Sequence, residues 1–427
     1  MIISESIWIR LKTILTYTGI ESSLYQAALF AHQYILYMQI GPQLYGYFGT
    51  IFSLIYLATM YLNLGLDLTI APLFNQKSDY LPFIKNILLQ ALLNALLGLV
   101  ALCAIIIFFR SYIDLTVTQL IICGLIVIAE TGRKTLKLML HLFAFHRLIA
   151  ITELICLGAY ICIVWTFLMS GYSASTFLIF TPLLLTSLTA LVVYFLTLSP
   201  WLKQATIEPN NDGINKVITL RAQNYLYQIT HSLYSPNFLI PIIAMQHSVE
   251  LASLLKIISM ALYAINSIIK QIFTVFSTIL FSHIRDYEYK EKQLVVQTLQ
   301  KYITKIVVSV CIYSMLHYYV VSTGNHTEYL YIACLFFLII SSEHLILTYE
   351  HFFIIEERAA FLVLCNIGMW IPIIIIKNVA SVSIATFLGL LIASRVIHFF
   401  ILYIYGYYYW QLPIAGSKKP FYTKPVS

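Results

Sequence analysis

Apolar residues dominate this chain in long blocks, and short polar stretches separate them. A helix needs about 20 mostly apolar residues to cross the hydrocarbon core of a bilayer. That ruler predicts twelve spans, over 14–38, 45–67, 83–108, 115–130, 149–170, 174–198, 222–245, 251–280, 303–322, 328–349, 359–377 and 380–405. The first block is too long for the apolar region of a cleaved signal and lacks a small-residue cleavage site after it, so it reads as span 1. After span 4 the apolar spacing stays helical through Glu130–Arg147, which predicts a helix running on to about Phe145.

Lys and Arg fall unevenly between these spans. With a cytoplasmic N-terminus, twenty of the 25 lie in cytoplasmic segments, among them Arg133, Lys134 and Lys137. Only Arg110 and Lys377 fall on the opposite side, while Lys256, Lys270 and Arg395 lie inside spans. This is the positive-inside pattern, and it requires an even number of spans with both termini in the cytoplasm. The longest polar connection, Ser199–Ile218, lies at mid-chain. It predicts an N-terminal six-helix lobe over 1–200, a linker over 201–220, a second lobe over 221–405 and a cytoplasmic tail over 406–427. Composition agrees: the 427 residues are 60% hydrophobic and 10% charged, with a mean hydropathy of +0.85. Soluble domains carry roughly 25% charged residues. The net charge of +7 therefore reports topology and not nucleic-acid binding. The seven cysteines form no CxxC pair, so no metal site is expected.

Polar residues inside spans are costly and mark candidate sites. Span 1 carries Glu21, Tyr25 and His32 on one helical face. Span 7 carries Asn224, Gln228, His231 and Ser235 as a stripe, followed by Pro236 and Pro241, which should bend or break it. Span 2 offers Asn63 and Asp67; span 8 offers Lys256, Tyr263, Ser267 and Lys270; span 12 offers Arg395 with His398 nearby. Lys256 lies close to the outer face, where snorkelling is expected. Glu130, Glu343 and Asp67 lie nearer the cytoplasmic rim, where structural roles are expected.

The stretch Gly41-Pro42-Gln43-Leu44-Tyr45-Gly46, followed by Asn63-Leu64-Gly65-Leu66-Asp67, resembles the opening of polysaccharide flippases. These belong to the multidrug/oligosaccharidyl-lipid/polysaccharide (MOP) exporter superfamily. The basic segment Arg285–Lys305 after span 8 is similar as well. The resemblance implies an all-α integral membrane fold of about twelve helices. Two pseudo-symmetric six-helix bundles would form a MATE-like V around a central cavity lined by spans 1, 2, 7 and 8. It implies flipping of a polyprenyl-diphosphate-linked oligosaccharide by alternating access, for cell-surface polysaccharide such as the O-antigen of lipopolysaccharide. The expected setting is the bacterial cytoplasmic (inner) membrane, with membrane lipids, a polysaccharide polymerase and chain-length machinery as partners, and a monomer as the working unit. Lys270, Arg395, Asn63, Tyr263, Asn224, Gln228 and His231 are the cavity candidates. Glu21 and His32 are candidates for coupling to an H+ or Na+ gradient; no other cofactor, no metal and no catalytic residue is expected. A cation-coupled multidrug exporter of the same fold is the alternative, disfavoured by the deep basic residues. A membrane polymerase or glycosyltransferase is a third reading, weakened because no large loop or GxSxG, HExxH or aspartate-rich pattern is present. No phosphate-loop sequence supports an ATP-driven pump.

Overall fold

A computed structural model describes residues 5–66, 68–69, 116–143, 145–170, 176–204, 214–261, 332–340, 346, 350, 359–379 and 383–411. Every regular element among them is helical. The N-terminal part contains α1 (Glu5–Ile40), α2 (Pro42–Leu62), α3 (Val117–Leu142), α4 (His146–Met169) and α5 (Thr176–Gln204). The C-terminal part contains α6 (Ile214–Ser232), α7 (Pro236–Gln246), α10 (Ala359–Val379) and α11 (Ile384–Gln411). Two further helical stretches, α8 (249–261) and α9 (332–340), precede α10. Spans 3 and 9, Asp67, Glu343, Tyr263, Ser267, Lys270 and the Arg285–Lys305 segment lie outside the described residues.

Three described helices are long and apolar enough to cross a membrane by themselves: His146–Met169, Ile179–Pro200 and Ile384–Tyr405. The 21 residues of α2, at 1.5 Å each, reach roughly 31 Å, also a membrane thickness. Large apolar side chains such as Leu24, Ile155 and Leu364 point outward with more than half their surface exposed. In lipid that surface needs no cover.

The helices pack in two groups. In the first, α1 lies on α4, while α3 and α4 lie on α5. In the second, α10 lies on α6 and α11. The groups meet where α2 runs along α7, α6 and the start of α8. Several predicted boundaries move. α3 continues to Leu142, as its helical spacing predicted. α5 extends to Gln204 and α6 begins at Ile214, so helix occupies both ends of the expected 201–220 linker.

Span 7 breaks. α6 ends at Ser232, and α7 begins at Pro236, which has no backbone N–H to lose at a first helical turn. At the other end of the seam, α2 closes on Leu64 and Gly65 with φ of 48° and 75°. Two successive left-handed residues turn the chain out of the helix; Gly65 adopts that region freely, whereas Leu64 does so against a steric penalty.

Candidate functional site

The seam between the two groups holds a buried lysine. Lys256 on α8 is 4% exposed, and its Nζ donates to Ser53 Oγ on α2 (2.9 Å) and to Asn237 Oδ1 on α7 (3.2 Å). The Phe52 ring centroid lies 5.3 Å from Nζ. Gly49 makes room for the lysine stem, since a Cβ there would lie 3.2 Å from Lys256 Cγ. No carboxylate forms an ion pair with Lys256 among the described residues. The snorkelling expected from its sequence position does not occur, because two neutral acceptors hold the ammonium between the lobes.

Further contacts follow the same seam. Gly46 lets α2 approach the chain entering α8 so closely that a Cβ would fall 2.2 Å from the Val249 carbonyl oxygen. Tyr45 O–H donates to Gln33 Oε1 within the first lobe at 3.0 Å and reaches Met260 Sδ on α8, across the seam, at 3.8 Å. Toward the end assigned to the cytoplasm by charge, Tyr61 and Ser232 share a 2.7 Å hydrogen bond. Arg221 Nε donates to the Leu64 carbonyl (3.0 Å), the oxygen that the left-handed turn presents. Asn224 Nδ2 donates to Thr69 Oγ1 at 3.1 Å. The structure thus brings Asn224 to the seam beside the end of α2. Asn63 is buried at that end, and Gln228 follows Asn224 one turn along α6. The side-chain oxygens of all three, Asn63 Oδ1, Asn224 Oδ1 and Gln228 Oε1, are buried without a hydrogen-bond partner among the described residues.

Glu21 and His32 are not at the seam; both are buried within the first lobe. Glu21 accepts from Lys137 Nζ at 2.5 Å. Lys137 also lies 3.7 Å from Glu153, which accepts from Tyr194 O–H (2.7 Å) and faces Arg133 at 3.5 Å. Arg133 pairs with Glu130 at 3.2 Å, and Glu130 accepts from Ser187. The network ties α1, α3, α4 and α5 together. Beside it lies a cavity of ≈ 40 Å³ lined by Tyr25, Gln33, Arg133, Glu153, Tyr160 and Thr186 among others. That volume accommodates ordered water. His32 Nδ1 accepts from Trp165 Nε1 at 3.1 Å, which places its own proton on Nε2. Beyond the span, burial and the nearby Lys137 push the His141 imidazole down to about 3, leaving it a neutral partner for His146 at 3.0 Å.

Arg133 and Lys137, expected in a cytoplasmic segment, are packed into the lobe, with side chains only 14% and 23% exposed. Glu153 was missed altogether, although a lone acid in an otherwise apolar helix was a usable signal.

The second lobe has its own polar cluster. Glu350, fully buried, accepts from Tyr227 O–H at 2.9 Å and lies 3.3 Å from His231 Nδ1. Glu350 falls one residue past the predicted end of span 10, and sequence analysis missed it. Arg395 and His398, on α11, are 1% and 0% exposed. The structure therefore places His231 with Glu350, and Arg395 inside the second lobe.

No protein-family model matches the chain, and no curated protein matches it. Solved structures do. A multidrug-resistance MATE-family transporter of the MOP superfamily, in its outward-facing conformation, matches with a TM-score of 0.70 at 12% identity, covering 95% of this chain and 98% of that one. A MATE in complex with MaL6 matches with a TM-score of 0.66 at 12% identity, covering 96% and 99%. A MOP-superfamily transporter from Pyrococcus furiosus, described as having a binding pocket of reversed polarity, matches with a TM-score of 0.61 at 10% identity, covering 95% and 98%. The chain has the two-lobed, all-helical, multi-pass membrane fold of MATE transporters of the MOP superfamily.

Proposed function

We propose that this protein moves an anionic amphiphile across the membrane by alternating access. The cargo is a polyprenyl-diphosphate-linked oligosaccharide, passed from the cytoplasmic to the outer leaflet for cell-surface polysaccharide synthesis. The fold supports transport in general. The observation that carries the anionic cargo is Lys256, a basic side chain on the lobe seam whose hydrogen-bond partners among the described residues are neutral. When the lobes part, its N–H groups leave Ser53 and Asn237 and become available to a diphosphate, whose lost hydration a buried ammonium can replace. A site for cationic drugs would instead place acids on the seam. Among the described residues, the buried acids of the first lobe, Glu21, Glu130 and Glu153, are engaged with Arg133 and Lys137. No bond is made or broken in this reading, and a monomer in the bacterial inner membrane suffices. Lys270 and Tyr263 remain proposed cavity residues on the continuation of span 8.

The test uses proteoliposomes carrying a fluorescent polyprenyl-diphosphate oligosaccharide, with arrival in the far leaflet as the readout. Wild type and Lys256→Arg should translocate it; Lys256→Met should slow it at least tenfold while keeping its fold. Efflux of a cationic dye by wild type, with no lipid flipping, would favour the multidrug alternative.

A further inference from the structure

At the break in span 7 several buried hydrogen-bond donors have no acceptor among the described residues. Arg395 is 1% exposed, and its Nε and Nη1 find no hydrogen-bond partner. Its guanidinium rests on the Tyr234 ring, with Cζ 4.1 Å from the centroid. The indole of Trp370, 8% exposed, packs between Tyr234 (5.1 Å) and Phe238 (6.5 Å), and its Nε1–H is also unpartnered. Between these two aromatic residues the chain restarts as α7. Its N-cap, Ser235, makes no capping bond through its side chain, and the buried Oγ has no partner. His398, one turn beyond Arg395, is fully buried with both ring nitrogens free of hydrogen bonds.

These groups share one need. The first turn of α7 adds the Asn237 backbone N–H, since Pro236 has none and Phe238 N–H donates to the Ser235 carbonyl at 3.0 Å, and the positive end of a helix dipole. Arg cannot shed its proton, so its Nε and Nη1 donors keep their need for an acceptor. The Glu350 carboxylate balances part of the Arg395 charge from a distance without forming an ion pair with it; Oε2 is occupied by Tyr227 and His231, and Oε1 has no hydrogen-bond partner among the described residues.

We propose that the broken span 7, Ser235, Trp370 and Arg395 form a binding site for a small inorganic monovalent anion inside the second lobe. The anion sits at the N-terminus of α7, takes N–H donation from Arg395 and Trp370, and fixes the break in a single geometry. The near-complete burial of Arg395 keeps a lipid headgroup out of the site in this conformation. The site is independent of which cargo the seam accepts.

The test is the thermal unfolding of purified protein in zwitterionic nanodiscs. Chloride or bromide replaces gluconate at constant ionic strength. A ligand held by the folded state alone raises the melting temperature with its concentration. Chloride and bromide should each give a saturable rise that gluconate does not, and Arg395→Gln should abolish it. Trp370→Phe keeps the packing and loses the N–H; it should raise the half-saturating chloride concentration about tenfold, which covers the case of a glutamine variant that fails to fold. Equal melting in chloride and gluconate, a chloride response unchanged in both variants, or stabilisation by phosphatidylglycerol in place of chloride would each overturn the proposal.

Discussion

A buried charge in a membrane lobe must be matched by a neighbour, and the first lobe does this in sequence-distant pairs. Among the described residues Lys137 has two acids, Glu21 and Glu153, whereas Glu21 has only Lys137. Removing either partner therefore has unequal effects. Lys137→Met strips Glu21 of its cation, and Glu21 Oε2 already lacks a partner. That loss should cost about 3 kcal/mol. Glu21→Gln leaves Lys137 near Glu153 and should cost roughly 1 kcal/mol. The double variant should cost clearly less than the two added together, as measured by thermal or detergent-induced unfolding in micelles. Full additivity would show that the pair does not interact. The same pairing explains why these residues were hard to read. Sequence analysis placed Arg133 and Lys137 on a helix but could not name their partners, whereas the fold sets them against Glu130, Glu153 and Glu21. Glu21 and His32 were legible as buried and polar, but their partners sit on α3 and α4, 116 and 133 residues away in the chain.

At the scale of helices, turns and breaks were easier to read, because glycine and proline act locally. The Gly41-Pro42 pair forms a turn into α2, with Gly41 at a φ of 82°. Pro236 restarts span 7 as predicted. The two left-handed glycines should nevertheless respond differently to substitution. A Cβ on Gly41 meets nothing within 4 Å, so Gly41→Ala carries only the backbone penalty, about 1 kcal/mol. A Cβ on Gly65 would fall 2.7 Å from the Tyr225 backbone nitrogen and 2.8 Å from the Arg221 carbonyl oxygen. Backbone cannot move aside as a flexible side chain can, so Gly65→Ala must push α2 away from α6. Its cost should exceed that of Gly41→Ala by about 2 kcal/mol, in line with overpacking elsewhere. Comparing the melting temperatures of the two variants checks this; equal losses would mean that α2 does not touch α6 there.

The proposed alternating access requires a reversible contact between the lobes; the resemblance named spans 2, 7 and 8 for the central cavity, but the side chains that meet there were not legible in the sequence. Ser53 and Lys256 lie 203 positions apart, and no local pattern announces their hydrogen bond. The seam can be tested by fixing it. An ideal Cβ on Gly49 lies 3.5 Å from Lys256 Cβ, inside the range a disulfide requires. In Gly49→Cys/Lys256→Cys the lysine stem that crowds Gly49 is gone, so a bond should form under mild oxidation. With a protease site inserted in the 205–213 connection, the two halves should stay together on a non-reducing gel after cleavage and separate on reduction. Wild type, whose described cysteines are all free, should separate in both conditions. If transport needs the lobes to part at α2, lipid flipping by the oxidised double variant should fall well below that of the same variant reduced. Both arms lack Lys256, so the comparison isolates the lock from the loss of charge. Efficient cross-linking with equal flipping in the two arms would leave the seam in place and move the opening motion to other helices. No cross-link at all would mean that α2 and α8 do not meet as described, and the role given to Lys256 would fall with that contact.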